Sequence, residues 1–324
     1  MKAIVYHKYG SPDVLELKEV EKPTPKDNEV LIRIHAATVT AGDCEIRSFK
    51  LPIWIWLPLR IVMGIRKPRR PILGAELAGE IETVGSAVKR FKKGDQVFGS
   101  SGLRMGAYAE YKCQPATSGL AIKPANLSYE EAATISTGGL NSLHFLRKAN
   151  IQKGEKVLIN GAGGSIGTYG VQLAKLYGAE VTAVDSAGKL DMLRGIGADH
   201  VIDYRKEDFT KNGESYDVIL EVAAKSSFSR GIRSLNPNGR YLLANPRVNT
   251  MLRGLWVSMT SSKNVLIELA GEPVADLIYI AELVEAGTIK SVIDKRYPLD
   301  ELAEAHRYVD KGDKAGNVVI TLVE

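Results

Sequence analysis

Apolar and polar positions along this 324-residue chain change their period between Lys123 and Ser128. Before that point the apolar positions come in short runs. Met1-Lys2-Ala3-Ile4-Val5 opens as a strand, and Val14 to Val20 and Val30 to Ile34 alternate with a period of two, punctuated by Pro23, Pro25 and Asp27. Leu77 to Val84 reads as a further strand ended by Gly85, and Phe91 to Gly99 as a turn feeding another. Short strands joined by Gly and Pro turns predict a partly open β-barrel. From Ser128 the pattern differs. Ser128-Tyr129-Glu130-Glu131 is a capping box opening an Ala-rich helix. Strand signals then recur at Val157-Leu158-Ile159, Glu180 to Val184, Val201-Ile202, Asp217 to Leu220 and Arg240 to Ala244, with helical stretches between. That alternation predicts an α/β domain with a doubly wound parallel sheet. A helix over 274–286 and a terminal strand over 317–322 follow, the strand returning to the first domain. The expected division is 1–123 completed by 270–324, with 124–269 as the second domain. No internal repeat or low-complexity segment interrupts it.

One turn in this pattern carries candidate chemistry. Val157-Leu158-Ile159-Asn160 is followed by Gly161-Ala162-Gly163-Gly164-Ser165-Ile166-Gly167 and then by Val171, Leu173, Ala174 and Leu176 at helical spacing, closed by Gly178. A glycine turn between a buried strand and a helix is suited to a pyrophosphate. It removes Cβ atoms that would hold the backbone away, and the helix start offers N–H groups and a positive dipole end. Ala162 stands where the strict G-x-G-x-x-G fingerprint has its first glycine, leaving Gly161-x-x-Gly164-x-x-Gly167. The next strand ends at Asp185, about 20 residues on, where an acid for the ribose hydroxyls is expected. Strand, glycine turn, helix, strand and acid together predict a dinucleotide-binding unit.

Composition narrows the class without changing this picture. The charged fraction of 25% and hydrophobic fraction of 44% are those of an ordinary globular protein. The net charge of +5 is mild and its basic residues are mostly dispersed, so nucleic acid is not an expected partner. Cys44 and Cys113 give neither a disulfide framework nor a metal spacing. The chain opens on a strand without a signal-peptide core, and no apolar run has the length of a membrane span. The expected compartment is the cytoplasm.

Several segments, taken in order, resemble the medium-chain dehydrogenase/reductase superfamily, in its zinc-independent quinone oxidoreductase-like branch. They are Met1-Lys2-Ala3-Ile4, Leu73-Gly74-Ala75-Glu76-Leu77-Ala78-Gly79, Phe91 to Phe98, Gly106-Ala107-Tyr108-Ala109-Glu110-Tyr111, the glycine turn, Gly197 to Tyr204, and Lys314 to Val319. The resemblance implies a GroES-like β-barrel catalytic domain and a Rossmann domain. Zinc-using relatives carry Cys, His and Cys ligands where this chain has Thr40, Ala75 and Thr137. None of these is a normal zinc ligand, so no metal is expected. Without a Lewis acid, alcohol oxidation loses its usual alkoxide stabilisation, whereas hydride delivery to an electron-poor carbon needs less help.

The expected activity is therefore NAD(P)H-dependent reduction of quinones or α,β-unsaturated carbonyls, on a small apolar electrophile. Alternatives are an enoyl-thioester reductase, an alcohol or aldehyde oxidoreductase, and a non-enzymatic nucleotide-dependent binding protein. Asp185 favours NAD(H), but Ser186, Lys189 and Tyr204 place two hydroxyls and a cation where a 2′-phosphate would sit, so NADP(H) is favoured. Thr137, Ala162, Gly163, Ser165, Ile166 and Asn245 complete the candidate cofactor set. Thr40 and Asp43 are the candidate catalytic pair: they replace the Asn and retain the Asp of the family's Asn-Pro-x-Asp loop. Asp43 has an alternative role in bonding its own loop. Tyr108 is expected inside a strand, and His144 in the core or at the surface.

The expected assembly is a homodimer. Residues 51–59 contain no charge and two tryptophans, followed by Arg60, Arg66, Lys67, Arg69 and Arg70. Three readings stay open for 51–70: a pocket wall or lid, peripheral membrane contact, and a dimer or partner surface. Met251 to Val257 reads as a second apolar loop.

Overall fold

A computed structural model describes residues 1–223, 226–245 and 248–322, apart from the Trp54 side chain. The chain forms two compact units, one of Met1–Thr137 with the segment from Glu272 onward, the other of Gly138–Gly271. In chain order the first unit contributes β1 (Lys2–Val5), β2 (Glu16–Glu19), β3 (Glu29–Val39), α1 (Ala41–Ser48), α2 (Ile53–Met63), β4 (Glu76–Val84), β5 (Gln96–Ser100), β6 (Tyr111–Pro115), β7 (Leu120–Ile122) and α3 (Tyr129–Ala133). Helix α4 (Ile135–Ala149) spans the division. The second unit holds β8 (Lys156–Asn160), α5 (Ser165–Leu176), β9 (Glu180–Asp185), α6 (Leu190–Gly195), β10 (His200–Asp203), β11 (Tyr216–Glu221), α7 (Phe228–Arg233), β12 (Leu235–Leu243), α8 (Val248–Thr260) and β13 (Asn264–Leu266). The first unit resumes with α9 (Val274–Glu285), β14 (Ile293–Pro298), α10 (Leu302–Lys311) and β15 (Asn317–Thr321).

Strand β3 organises the first unit. Its first half pairs with β6, its second half with β15, and its other edge with β4 across two register shifts. Those irregularities let one strand bend and change partners, as a closing barrel requires. Val30, Ile32 and Ile34 face inward with Leu77, Ile81, Val97, Val318 and Ile320. The terminal strand is thus part of this core. Against it, α1 and α10 enclose a polar cluster: His306 Nδ1 lies 3.0 Å from an Arg47 guanidinium nitrogen and 3.2 Å from Cys44 Sγ. Arg47 also pairs with Asp310 at 2.6 Å.

In the second unit all six strands are parallel, in the order β10-β9-β8-β11-β12-β13. Counted from β8 this is 3-2-1-4-5-6, the doubly wound order whose reversal lies between β8 and β11. Leu158, Ile219, Tyr241 and Val265 fill the core under the helices.

Three sequence expectations are corrected. Residues 251–257 are helical, inside α8, and not a loop. The run has no breaker before Ser261, and its lone Gly254 faces Val265 and Ile267, which a Cβ would meet at 2.8 and 2.9 Å. Leu252, Leu255, Trp256 and Met259 point outward alongside Asn249, Arg253 and Thr260, so the polar–apolar contrast that marks a surface helix is weak. Tyr108 lies outside any strand, beside an isolated bridge between Ala3 and Ala109, although its ring is fully buried. The strand expected over 14–20 is confined to β2, because Pro12–Val14 forms a 3-10 turn. Among the described residues no helix is long and apolar enough to cross a membrane.

The buried cluster predicts a pH dependence. Burial, aided by the Arg47 charge, lowers the His306 pKa from 6.5 to about 3. Below 6.5 the unfolded chain binds a proton that the folded chain refuses. Stability present above that value should therefore fall as pH drops from 6.5 toward 3. Urea midpoints measured across this window should decline less steeply for His306→Gln than for the wild type.

Candidate functional site

The glycine turn sits at the carboxyl end of β8, beside the reversal of strand order. Gly161 adopts φ +86°. Its N–H and that of Ala162 donate to the Val184 carbonyl at 3.0 and 3.1 Å, tying the turn to β9. Ala162 is fully buried, so its methyl group fills core space. That explains the departure from the strict fingerprint. Gly167 is required by contact: a Cβ there would lie 2.4 Å from the Gly161 carbonyl oxygen and 2.5 Å from Ala162 Cα. The first turn of α5 therefore rests directly on the glycine backbone.

Gly164 is the N-cap of α5 and has no capping side chain. A helix cannot satisfy its first N–H groups internally, and those of Ile166 and Gly167 belong to that set. Gly138 of α4 packs onto this end, where a Cβ would lie 2.8 Å from the Ser165 carbonyl oxygen. Small residues, free helix N–H groups and the positive dipole end fit the pyrophosphate of a dinucleotide.

Asp185 ends β9, as the sequence indicates, but its carboxylate faces its own turn. Oδ2 accepts from the Gly163 N–H at 2.8 Å, Oδ1 accepts from the Ser186 N–H at 2.8 Å, and Lys189 Nζ lies 3.1 Å from Oδ1. Both side chains of the ion pair are buried. Tyr204 follows β10, its N–H donating to the Asp185 carbonyl at 3.2 Å, and its ring is half exposed with the Arg205 guanidinium 5.7 Å from its centre. The structure thus gathers Gly161 to Gly167, Asp185, Ser186, Lys189 and Tyr204 at the carboxyl ends of β8, β9 and β10. Arg205 joins them. The run Tyr204-Arg205-Lys206 was its available sequence signal.

At the reversal itself lies Glu221, a buried carboxylate at the end of β11 that sequence reasoning passed over. Asn160 Nδ2 donates to its two oxygens at 2.9 and 3.0 Å, Tyr241 donates at 3.1 Å, and Ser226 donates as well. Asn245, just past β12, donates to the Val222 carbonyl at 2.9 Å.

Thr137, Thr40 and Asp43 belong to the first unit. Thr40 is the N-cap of α1 and closes a reciprocal capping box with Asp43: the Asp43 N–H donates to Thr40 Oγ1 at 3.1 Å, and Asp43 Oδ2 accepts from the Thr40 N–H at 2.9 Å. The Thr40 hydroxyl also donates to Oδ2 at 2.6 Å. Burial pushes the Asp43 pKa up, and the Thr40 bonds oppose it. The Thr137 N–H donates to the buried Glu76 carboxylate, which also accepts from the Thr38 hydroxyl. Burial raises the Glu76 pKa too. Glu76 had no motif of its own in the sequence. Tyr108 donates to the Thr38 carbonyl at 3.0 Å, and His144 lies 3.1 Å from Glu268. Among the described residues, no group of three or more His, Cys, Asp or Glu could hold a metal ion.

The turn geometry predicts that Gly167→Ala weakens dinucleotide binding by at least about tenfold, since the added carbon must displace backbone. Fluorescence titration with NADPH checks this, with circular dichroism confirming an intact fold.

Residues 26–125 match the alcohol dehydrogenase GroES-like domain family, and residues 196–320 the zinc-binding dehydrogenase family. Over 99% of its length the chain is 33% identical to a chloroplastic quinone-oxidoreductase homolog of Spinacia oleracea, of which 98% is covered. The quinone oxidoreductase structure from Coxiella burnetii superposes with a TM-score of 0.89 at 28% identity, covering 100% of this chain and 99% of that one. The Escherichia coli quinone oxidoreductase complexed with NADPH gives a TM-score of 0.84 at 26% identity, covering 99% and 100%. With the barrel unit, the doubly wound unit and the glycine turn in the expected order, the chain belongs to the medium-chain dehydrogenase/reductase superfamily, in its quinone oxidoreductase-like branch.

Proposed function

We propose that this protein reduces quinones or α,β-unsaturated carbonyl compounds, with NADPH as hydride source and without zinc. The observation that carries the proposal is a built pyrophosphate cradle together with Thr40, Ala75 and Thr137 at the three positions where zinc-using relatives carry their ligands. The nicotinamide, when bound, supplies a hydride. A threonine–alanine–threonine set supplies no thiolate, imidazole or carboxylate to polarise an alcohol, which favours an acceptor that is already electron-poor. The names of the relatives above point to the same acceptor class.

The chain's own residues bind and orient. The N–H groups at the start of α5 take the pyrophosphate, with Gly164, open on its Cβ side, permitting its approach. The Asp185 carboxylate is neutralised by Lys189 and by two N–H groups, so it does not confront a 2′-phosphate with an open negative charge. Ser186, Lys189, Tyr204 and Arg205 supply hydroxyls and cations for that phosphate, which supports NADPH over NADH. Thr40 and Asp43 act as positioning residues, holding the start of α1.

Arg205→Ala should lower NADPH affinity by about tenfold, roughly 1.4 kcal/mol, while NADH affinity changes by less than about twofold. Equal losses for both nucleotides would contradict the assignment of the phosphate site. Steady-state assays should show NADPH oxidation with quinones and enones, and no oxidation of simple alcohols. Turnover on alcohols that vanishes on chelation would count against a zinc-free reaction.

A further inference from the structure

Helix α2 and the turn after it carry a surface that the reductase reading leaves unused. One side of the helix is fastened. Met63 and Leu59 are buried in the core of the first unit, and the Tyr9 hydroxyl donates to the Met63 and Gly64 carbonyls at 3.0 and 2.9 Å. The Arg60 guanidinium lies over the Tyr9 and Phe49 rings, 4.1 and 4.4 Å from their centres. The other side is open. Ile53, Leu57, Ile61 and Ile65 repeat at every fourth position and are 86%, 59%, 51% and 62% exposed. A surface helix ordinarily turns a charged face to water, but no charge occurs between Lys50 and Arg60.

Apart from Arg60, which is turned onto the aromatic rings, charge appears only beyond the helix, and with one sign. Residues 46–75 contain no Asp or Glu. Arg66, Lys67 and Arg69 are exposed, and among the described residues their side chains make no ion pair. The Arg70 side chain donates to the Leu103 carbonyl, which brings exposed Leu103 and Arg104 to the same rim.

We propose that α2 seats this protein on an anionic lipid surface. The stripe from Ile53 to Ile65 enters the boundary between headgroups and acyl chains, and Arg66, Lys67 and Arg69 pair with lipid phosphates. An apolar stripe beside exposed cations and without acids complements such a surface. A second copy meeting this face across a two-fold axis would bring like charges together. Attachment is reversible and independent of the reaction assigned above.

Flotation of the full-length protein, without nucleotide or acceptor, tests the proposal. Phosphatidylcholine vesicles enriched in phosphatidylglycerol should carry the protein at low salt, pure phosphatidylcholine vesicles should not, and raised salt should release it. Leu57→Ser with Ile61→Ser should cut binding at least about tenfold while melting temperature and NADPH oxidation stay unchanged. Arg66→Gln with Lys67→Gln and Arg69→Gln should cut it comparably and remove the salt dependence. Absence of binding to the anionic vesicles, or binding that survives both variants, would overturn the proposal. So would a serine variant that dissociates an oligomer in sedimentation, which would assign the face to a second copy. A serine variant that raises only the KM for apolar acceptors would make α2 a pocket wall instead.

Discussion

Asp185 carries a negative charge in a place that water barely reaches, and the cofactor half of the molecule is arranged around satisfying it. A buried carboxylate is costly unless its lone pairs are filled, and removing one partner of such a pair typically costs about 3–5 kcal/mol. Here the Gly163 and Ser186 N–H groups and the Lys189 ammonium fill them. One acid thereby joins the end of β9, the glycine turn after β8 and the short helical turn that bears Lys189. The same contacts set the electrostatics of the site. The strand-end acid and Lys189 offset one another and serve the turn's geometry, and the positive charge a phosphate would meet here comes from exposed Arg205.

The close approach of α5 to that turn is the second constraint. Gly167 has no room for a Cβ because helix and turn backbones touch, whereas Ala162 is tolerated because its methyl group lies in the core. What looks irregular in the motif is thus a matter of which atoms face inward. Glu221 repeats the principle at the reversal of strand order, where one buried carboxylate ties the ends of β8, β11 and β12 through Asn160 and Tyr241. Glu76 does so in the first unit, linking Thr38 of β3 to Thr137.

Much of the second unit was legible in the sequence because buried parallel strands leave near-continuous apolar runs, as at Val157 to Ile159 and, interrupted only by Thr182, Val181 to Val184. The glycine turn was legible for the same reason, lying between two such signals. The return of β15 to β3 could be suspected from a terminal apolar run. Other features left no local trace. An isolated Glu in a strand has no spacing signature, so Glu76 and Glu221 were missed. The direction in which Asp185 points depends on N–H groups 22 and 1 residues away, which no periodicity encodes. Helices α2 and α8 escaped for a different reason. Their outward faces carry many large apolar residues, so the contrast that identifies a surface helix is weak.

Direct transfer of hydride from a nucleotide held at the glycine turn to an electron-poor carbon is the core of the functional account. Isotope tracing tests it most directly. NADPH carrying deuterium at the transferable position of its nicotinamide would be supplied with a cyclic enone in ordinary water, and the reduced product analysed by NMR. The account predicts one deuterium on the β-carbon of the product. Turnover that leaves that carbon unlabelled, or no turnover despite tight NADPH binding, would contradict it.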